Sequence, residues 1–313
     1  MLSHKNVTEN TCTGRSAKIK VRSLKNKTYG LYLLVPGLFL YFTFFILPSL
    51  IGLILSFFNV RTFRLSDITY AGLANYTRIL SDHYLNVSIK NTLVFALVTT
   101  VGKVGFGLLL ALFVNNKFRG VRYLRTILFL PAVLNNVAVG LVFRAMMHPS
   151  TGLINRTLRA AGLFNLAQNW LTDPGIAIFS CAFVEIWKWT GFTMVILLAG
   201  LQAIDASYYE AAELDGATSL QRFRFITFHL MMPAFTNALV VNMVGGLKVF
   251  DMVQALTKGG PGSATSVFGT IIFSSFGGGR YGEGCAASII LCISVLLIVL
   301  PTYKFFSNKE VEV

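Results

Sequence analysis

The sequence predicts an all-α integral membrane protein with six transmembrane helices, and three observations carry that prediction. Hydrophobic residues fill 54% of the 313 positions against 13% charged, with 27 Phe, a composition too apolar for a soluble domain of this length. Residues 31 to 58 contain no charge, and a helix of that length runs about 42 Å, beyond the roughly 30 Å hydrocarbon core, so tilt or a break at Pro36 or Pro48 must absorb the excess. Five more apolar stretches follow, at residues 91–114, 126–147, 175–201, 232–256 and 284–306. Six spans place both ends on one side.

Basic residues give the direction. Residues 1–29 hold Lys5, Arg15, Lys18, Lys20, Arg22, Lys25 and Lys27 against Glu9, and the loop after the second span adds Lys117, Arg119, Arg122 and Arg125. These segments are expected on the cytoplasmic side. Arg61, Arg64, Arg78 and Lys90 in the first outer loop, and Arg156 and Arg159 in the second, are more dilute. The chain therefore divides into a basic cytoplasmic tail (1–29), a six-helix membrane domain (30–306) and a short cytoplasmic end (307–313). Its net charge of +14 is spread along loops beside the spans, which points to anionic lipid headgroups and away from nucleic acid. No short apolar core with a cleavage site precedes the first span, so the tail is expected to be retained. Cys12, Cys181, Cys285 and Cys292 have no paired-ligand spacing, and neither a disulfide nor a metal is expected. No Gly-x-x-x-x-Gly-Lys-Ser/Thr phosphate loop occurs, so any ATP that drives this protein is bound elsewhere.

The polar segment 205–230 between the fourth and fifth spans is the most informative. Asp205 or Ser207 can cap a short helix rich in Ala, Glu and Leu, and Gly216 supplies the left-handed residue that ends it. Thr218 followed by Gln221 has the form of a capping box, so a second helix starts at once and runs toward Pro233. The product is a helix-Gly-helix elbow.

Glu210-Ala211-Ala212, three residues, then Gly216 resembles the EAA loop of bacterial ATP-binding-cassette importer permeases. The longer run through Leu214, Asp215 and Ala217 is most similar to the carbohydrate-uptake branch, the maltose and glycerol-phosphate permeases. Gly72-Leu73-Ala74-Asn75-Tyr76, Gly152-Leu153-Ile154-Asn155, Trp187-Lys188-Trp189-Thr190-Gly191-Phe192 and Thr257-Lys258-Gly259-Gly260-Pro261-Gly262 agree with that branch in order, so the likeness covers residues 31–306. It implies a type I importer permease in the bacterial cytoplasmic (inner) membrane that is not itself an enzyme. Implied partners are a second permease subunit, two ATPase subunits that carry the ATP and Mg, an extracytoplasmic solute-binding protein and a sugar-like solute. Glu210, Ala211, Ala212, Asp215 and Gly216 would couple to the ATPase. One departure is His229, where the family's elbow usually carries proline.

Charges inside a span need a partner, a wet cavity or a helix end. Glu185 and Lys188, and likewise Lys248 and Asp251, stand three apart and are expected to pair on one helical face, structurally or as part of a path. Lys103 and Arg144 are expected to snorkel from span ends. Lys188, Trp189 and Phe192 share one side of the fourth span. Asn242, Gly245, Gly246 and Val249 follow i, i+3, i+4, i+7 spacing in the fifth, a stripe that reads either as a packing seam or as a solute path. By resemblance these seven positions match those lining the sugar site of the maltose-type permease. A stand-alone ion-coupled carrier or channel through Glu185, Lys188, Lys248 and Asp251 is the alternative, and a non-transporting scaffold a third.

Overall fold

A computed structural model describes residues 34–61, 68–116 and 118–309. The basic tail with Cys12, Arg64 in the first outer loop, Lys117 in the second-span loop, and residues 310–313 lie outside the described residues. The chain divides into two units, residues 1–50 and 51–313. In the first, residues 34–50 are helical and none is buried. They begin helix α1, which runs Leu34–Leu55 with a wider π turn at Phe42–Ile46. Its exposed Leu38, Phe39, Phe44 and Phe45 suit a surface in contact with lipid tails.

The second unit holds the rest. A two-strand hairpin, β1 (Phe58–Asn59) and β2 (Thr69–Tyr70), leads to α2 (Ala74–Leu80). Then come α3 (His83–Asn115), α4 (Val121–Val133), α5 (Asn136–Met146), α6 (Leu153–Ala160) and α7 (Ala177–Gln202). The elbow helices are α8 (Ala206–Leu214) and α9 (Ser219–Leu230), and α10 (Met232–Leu247), α11 (Asp251–Leu256), α12 (Phe268–Gly277) and α13 (Tyr281–Ser307) complete the chain. Helices α1, α3, α7 and α13 are long and apolar enough to cross a membrane unbroken; α4 with α5, and α9 with α10, are bent pairs that bring the number to six if each pair is one span.

Two expected spans are thereby corrected. The stretch 126–147 is not one rod: α4 and α5 meet at 93°. Leu134 and Asn135 both take extended backbone, and the Asn135 carboxamide accepts the Val137 and Ala138 N–H groups to start α5 afresh. The stretch 232–256 ends as a helix at Leu247, because Phe250 adopts φ −145°, ψ −61° before α11 restarts. The second span is longer than expected, since α3 starts at His83, eight residues before Asn91, where Asp82 caps it by accepting the Tyr84 N–H.

Two asparagines, each in the first turn of a short helix, staple the neighbouring segments singled out in the sequence. Buried Asn75 donates to the Ser56 and Phe58 carbonyls, at 2.9 Å each. Buried Asn155 donates to Pro149 and Gln168 carbonyls at 3.0 and 2.9 Å and accepts the Trp170 indole N–H at 2.8 Å. Each satisfies loop carbonyls that would otherwise be buried without a donor.

The core is the packing of α7 and α10 on α3. Phe95, Val184 and Val253 belong to one buried cluster, and Ala111, Met194, Leu197, Met231 and Ala238 to a second. Small residues set the approach: a Cβ on Gly246 would stand 2.8 Å from Ala96 Cα and 3.0 Å from Thr99 Oγ1, whereas one on Gly245 meets nothing within 4 Å. Overpacking of this kind costs about 1–3 kcal/mol. Gly246→Val should therefore lower the apparent melting temperature of the detergent-solubilised protein clearly, with Gly245→Ala unchanged or slightly raised. Equal midpoints would contradict the packing.

Candidate coupling elbow and translocation cavity

The elbow is built by its caps. Asp205 accepts the Ser207 N–H at 2.8 Å, and that bond holds its carboxyl below the usual carboxylate range. At the other end of α8, Gly216 has φ +74°; its N–H reaches the Glu213 carbonyl at 3.0 Å, and the Ala217 N–H reaches that of Ala212 at 2.9 Å. This pair of bonds is the Schellman closure, which places a left-handed residue at the turn. Thr218 and Gln221 then form the expected capping box, with bonds of 2.8 and 3.4 Å. Tyr209 and Thr227 hydroxyls at 3.0 Å, and Arg222 against Glu213 at 3.4 Å, hold α8 and α9 together.

Of the expected coupling residues, Glu210, Ala211, Asp215 and Gly216 are exposed, while Ala212 is buried and serves as the close-packed side of α8. Around them Leu214, Leu220 and Phe225 are exposed at 90%, 75% and 65%. Polar ends of a membrane protein seldom show such residues together without a use. His229, which stands where the family's elbow usually has proline, is exposed and keeps its Nδ1 3.0 Å from the Arg224 carbonyl oxygen, beside a π turn at Phe223–Thr227. The chain then bends by 68° between α9 and α10, with Pro233 in the first turn of α10.

Between α3, α5, α7 and α10 lies an open cavity of about 480 Å³. Trp189 and Phe192 face it from α7, Asn242 and Gly245 from α10, and Val249 from the irregular link beyond, not from the helical stripe expected of it. Glu185, Lys248 and Asp251 also line it. Trp189 and Phe192 meet edge to face, centroids 5.8 Å apart at 85°, forming a corner of two rings. Asn242 is committed to the α7 contact: its Nδ2 donates to Thr193 Oγ1 at 3.0 Å and to the Ala238 carbonyl at 2.8 Å. Gly246 turns away from the cavity onto α3, so the stripe is a seam at one residue and a wall at its neighbour.

Both expected ion pairs are corrected. Glu185 pairs with Lys103 of α3 at 3.7 Å, not with Lys188. Lys103 is 2% exposed, so it does not snorkel. Glu185 faces the tightly packed α3, and a buried carboxylate takes the cation on that interface. Lys188, also buried, donates to the Ala132 carbonyl at 3.2 Å and lies 4.1 Å from the Trp189 ring centre. That carbonyl is in the last turn of α4, where the helix leaves acceptors free and favours positive charge. Lys248 and Asp251 do not pair, because the backbone leaves the α conformation between them; Asp251 instead accepts from Asn136 Nδ2 at 3.5 Å. Arg144 is exposed in α5, as a residue free to reach outward would be.

Residues 103–307 match the sequence profile of the family described as binding-protein-dependent transport system inner membrane component. The chain belongs to that family. The permease is 34% identical to the trehalose/maltose transport system permease protein MalF of Thermococcus litoralis, covering 92% of this chain and 96% of that one. Its fold is similar to that of a bacterial ABC transporter that imports the acidic polysaccharide alginate, with a TM-score of 0.76, 26% identity, and coverage of 89% of this chain and 95% of that one. A second structure, of the alginate transporter with its alginate pentasaccharide-bound periplasmic protein, gives a TM-score of 0.74 at 27% identity over 87% of this chain and 92% of the other. The fold class is thus the type I importer permease of an ABC system.

Sequence reasoning missed Asn136 and the cavity-facing role of Lys103. The Asn135-Asn136 pair was the available signal, since one can cap a new helix while the next faces inward. Removing one partner of a buried charge pair costs about 3–5 kcal/mol, whereas removing both charges together is often near neutral. Glu185→Gln should therefore lower the thermal midpoint of the purified permease markedly, and the double change Lys103→Met with Glu185→Leu should recover most of it. A single variant as stable as the parent would contradict the pairing.

Proposed function

We propose that this permease is one of two non-identical membrane subunits of an ATP-driven, binding-protein-dependent sugar importer. The single observation that carries this is the capped elbow, exposed at its apolar tip and placed between the two helices that wall the cavity. The trehalose/maltose name of one relative and the alginate of the structural neighbours support a carbohydrate as the cargo. The neighbour solved with its periplasmic protein supports an external binding protein as a partner.

On this reading two partner ATPase subunits bind ATP and Mg and grip Glu210, Ala211, Asp215 and Gly216 together with Leu214 and Leu220. The basic tail 1–29, the membrane domain 30–306 and the end 307–313 lie with both termini in the cytoplasm of a bacterial inner membrane, where Arg119, Arg122 and Arg125 meet anionic headgroups. Closure of the ATPase pair pushes the elbow. Because α7 ends at Gln202 and α10 starts at Met232, the push is delivered to Trp189 and Phe192 on one side and to Gly245 on the other. Lys188 acts by bracing Trp189, Gly246 by seating α10 on α3, and Val249 by closing the far edge. The elbow's docking must differ between the two end states, since a partner binding both alike would shift neither.

Gly216 tests the elbow directly. A β-branched residue at φ +74° is strained by roughly 1–2 kcal/mol or more. Gly216→Val is expected to leave membrane insertion and subunit yield near the parent while solute uptake in intact cells falls at least about tenfold. Undiminished uptake would contradict the coupling role.

A further inference from the structure

We infer that Phe228, Phe235 and Phe306 form an aromatic brace across the bend between α9 and α10, which makes the cytoplasmic end of α13 the support against which the elbow drives α10. The inference rests on the reading of residues 210–216 as the coupling elbow. A push there reaches α10 only through residues 230–233, and the backbone at that point is a weak strut. Met231 leaves the helical basin at ψ 0°, and the chain turns by 68°. Pro233 has no N–H to carry the helical ladder across, and His229 leaves φ free where a proline would fix it.

Side chains span the gap instead. Phe228 of α9 meets Phe235 of α10 with centroids 5.5 Å apart at 61°, and Phe235 meets Phe306 of α13 at 5.9 Å and 53°. Phe223 lies 6.4 Å from Phe228. Phe305 stands edge to face on Phe306 at 5.3 Å, with the Lys309 ammonium 4.1 Å from the Phe305 ring centre. The column thus runs from the π turn of α9, over the bend, to the last turn of α13. Ring pairs favour particular mutual orientations, so tilting α10 on α9 disturbs both contacts of Phe235. The elbow's first helix is tied in as well, because the Tyr209 hydroxyl bonds to Thr227, the residue before Phe228. On α7, Gly200 has no room for a Cβ against Ala234, so the first turn of α10 is held by α7 as well as by α13. The three phenylalanines are positioning residues: they keep the angle through which the push is delivered.

Inverted membrane vesicles from cells expressing the complete importer with its binding protein test this through a reporter thiol. Gly245→Cys places that thiol on the cavity wall, where a Cβ meets nothing within 4 Å. The membrane-impermeant thiol reagent MTSET is added outside, with and without Mg and AMP-PNP. In the otherwise parental chain the nucleotide should slow modification at least about tenfold, and Gly216→Val should abolish the difference. Phe306→Ala and Phe228→Ala should each cut the ratio of the two rates to about twofold or less at unchanged complex yield, and Phe306→Tyr, which keeps the ring, should hold it at the parental value. A chain that is merely less stable lowers the amount of complex, not this ratio. A ratio in Phe306→Ala as large as in the parent, or a loss that Phe306→Tyr shares, would overturn the brace while the Gly216→Val result still upholds the elbow. No nucleotide dependence in the parent, or one indifferent to Gly216→Val, would overturn the elbow reading and the role of the brace with it.

Discussion

Inside an apolar layer there is no water to satisfy a polar group, and the packing of α3, α7 and α10 is where this protein answers that demand. Glu185 and Lys103 neutralise each other across α3 and α7. Lys188 reaches over to the open end of α4, and Asn242 joins α10 to α7 through Thr193. Each partnership crosses between helices, so the same bonds that remove buried charge also fix which helix faces which. The sharp bend between α4 and α5 belongs to this arrangement. Ending α4 at Val133 frees carbonyls for Lys188, and starting α5 in a new direction brings Asn136 beside Asp251. At the end of α3, Arg125 performs the same service by donating to the Val114 carbonyl at 2.8 Å.

On the proposed reading the elbow and the cavity are two ends of one lever. Residues 203–231 join α7 to α10 and contain both elbow helices. Rigidity there comes from caps and from two cross-links, Tyr209 with Thr227 and Arg222 with Glu213. A stiff elbow passes displacement to the two helices it joins, whereas a slack one would absorb it. The aromatic corner of the cavity is carried on α7 and its glycine wall on α10, so in the proposed cycle both walls would move with the elbow. Gly245 leaves room on that wall and Gly246 lets the helix behind it approach α3 closely.

Hydropathy made the spans legible, and local chemistry made the elbow legible down to its capping residues, because both signals are short in range. The bends were harder. At Leu134 and Asn135 no glycine or proline marks the break, and Pro131 sits inside α4 without ending it. At Lys248–Phe250 no proline marks the stop, and the spacing of Lys248 and Asp251 reads as a helix that continues. The ion pairs misled for a different reason. Glu185 and Lys188 have helical spacing that permits a contact, but the choice of partner depends on which neighbouring helix each side faces, and Lys103 stands far away in the sequence. The ring pair Trp189 and Phe192 was legible because its spacing is intrahelical, and Asn136 was not because its role exists only once α4 and α5 have parted.

The central claim is that this chain is half of a pathway driven from its elbow by other subunits. Purification of the tagged permease from its native membrane in mild detergent, with mass spectrometry of the bound proteins, tests that most directly. A second permease and an ATPase in stoichiometric amount, with the ATPase lost when Leu214 and Leu220 are made charged, is the result expected. A chain recovered by itself that moves solute in liposomes without ATP would contradict it and restore the ion-coupled carrier.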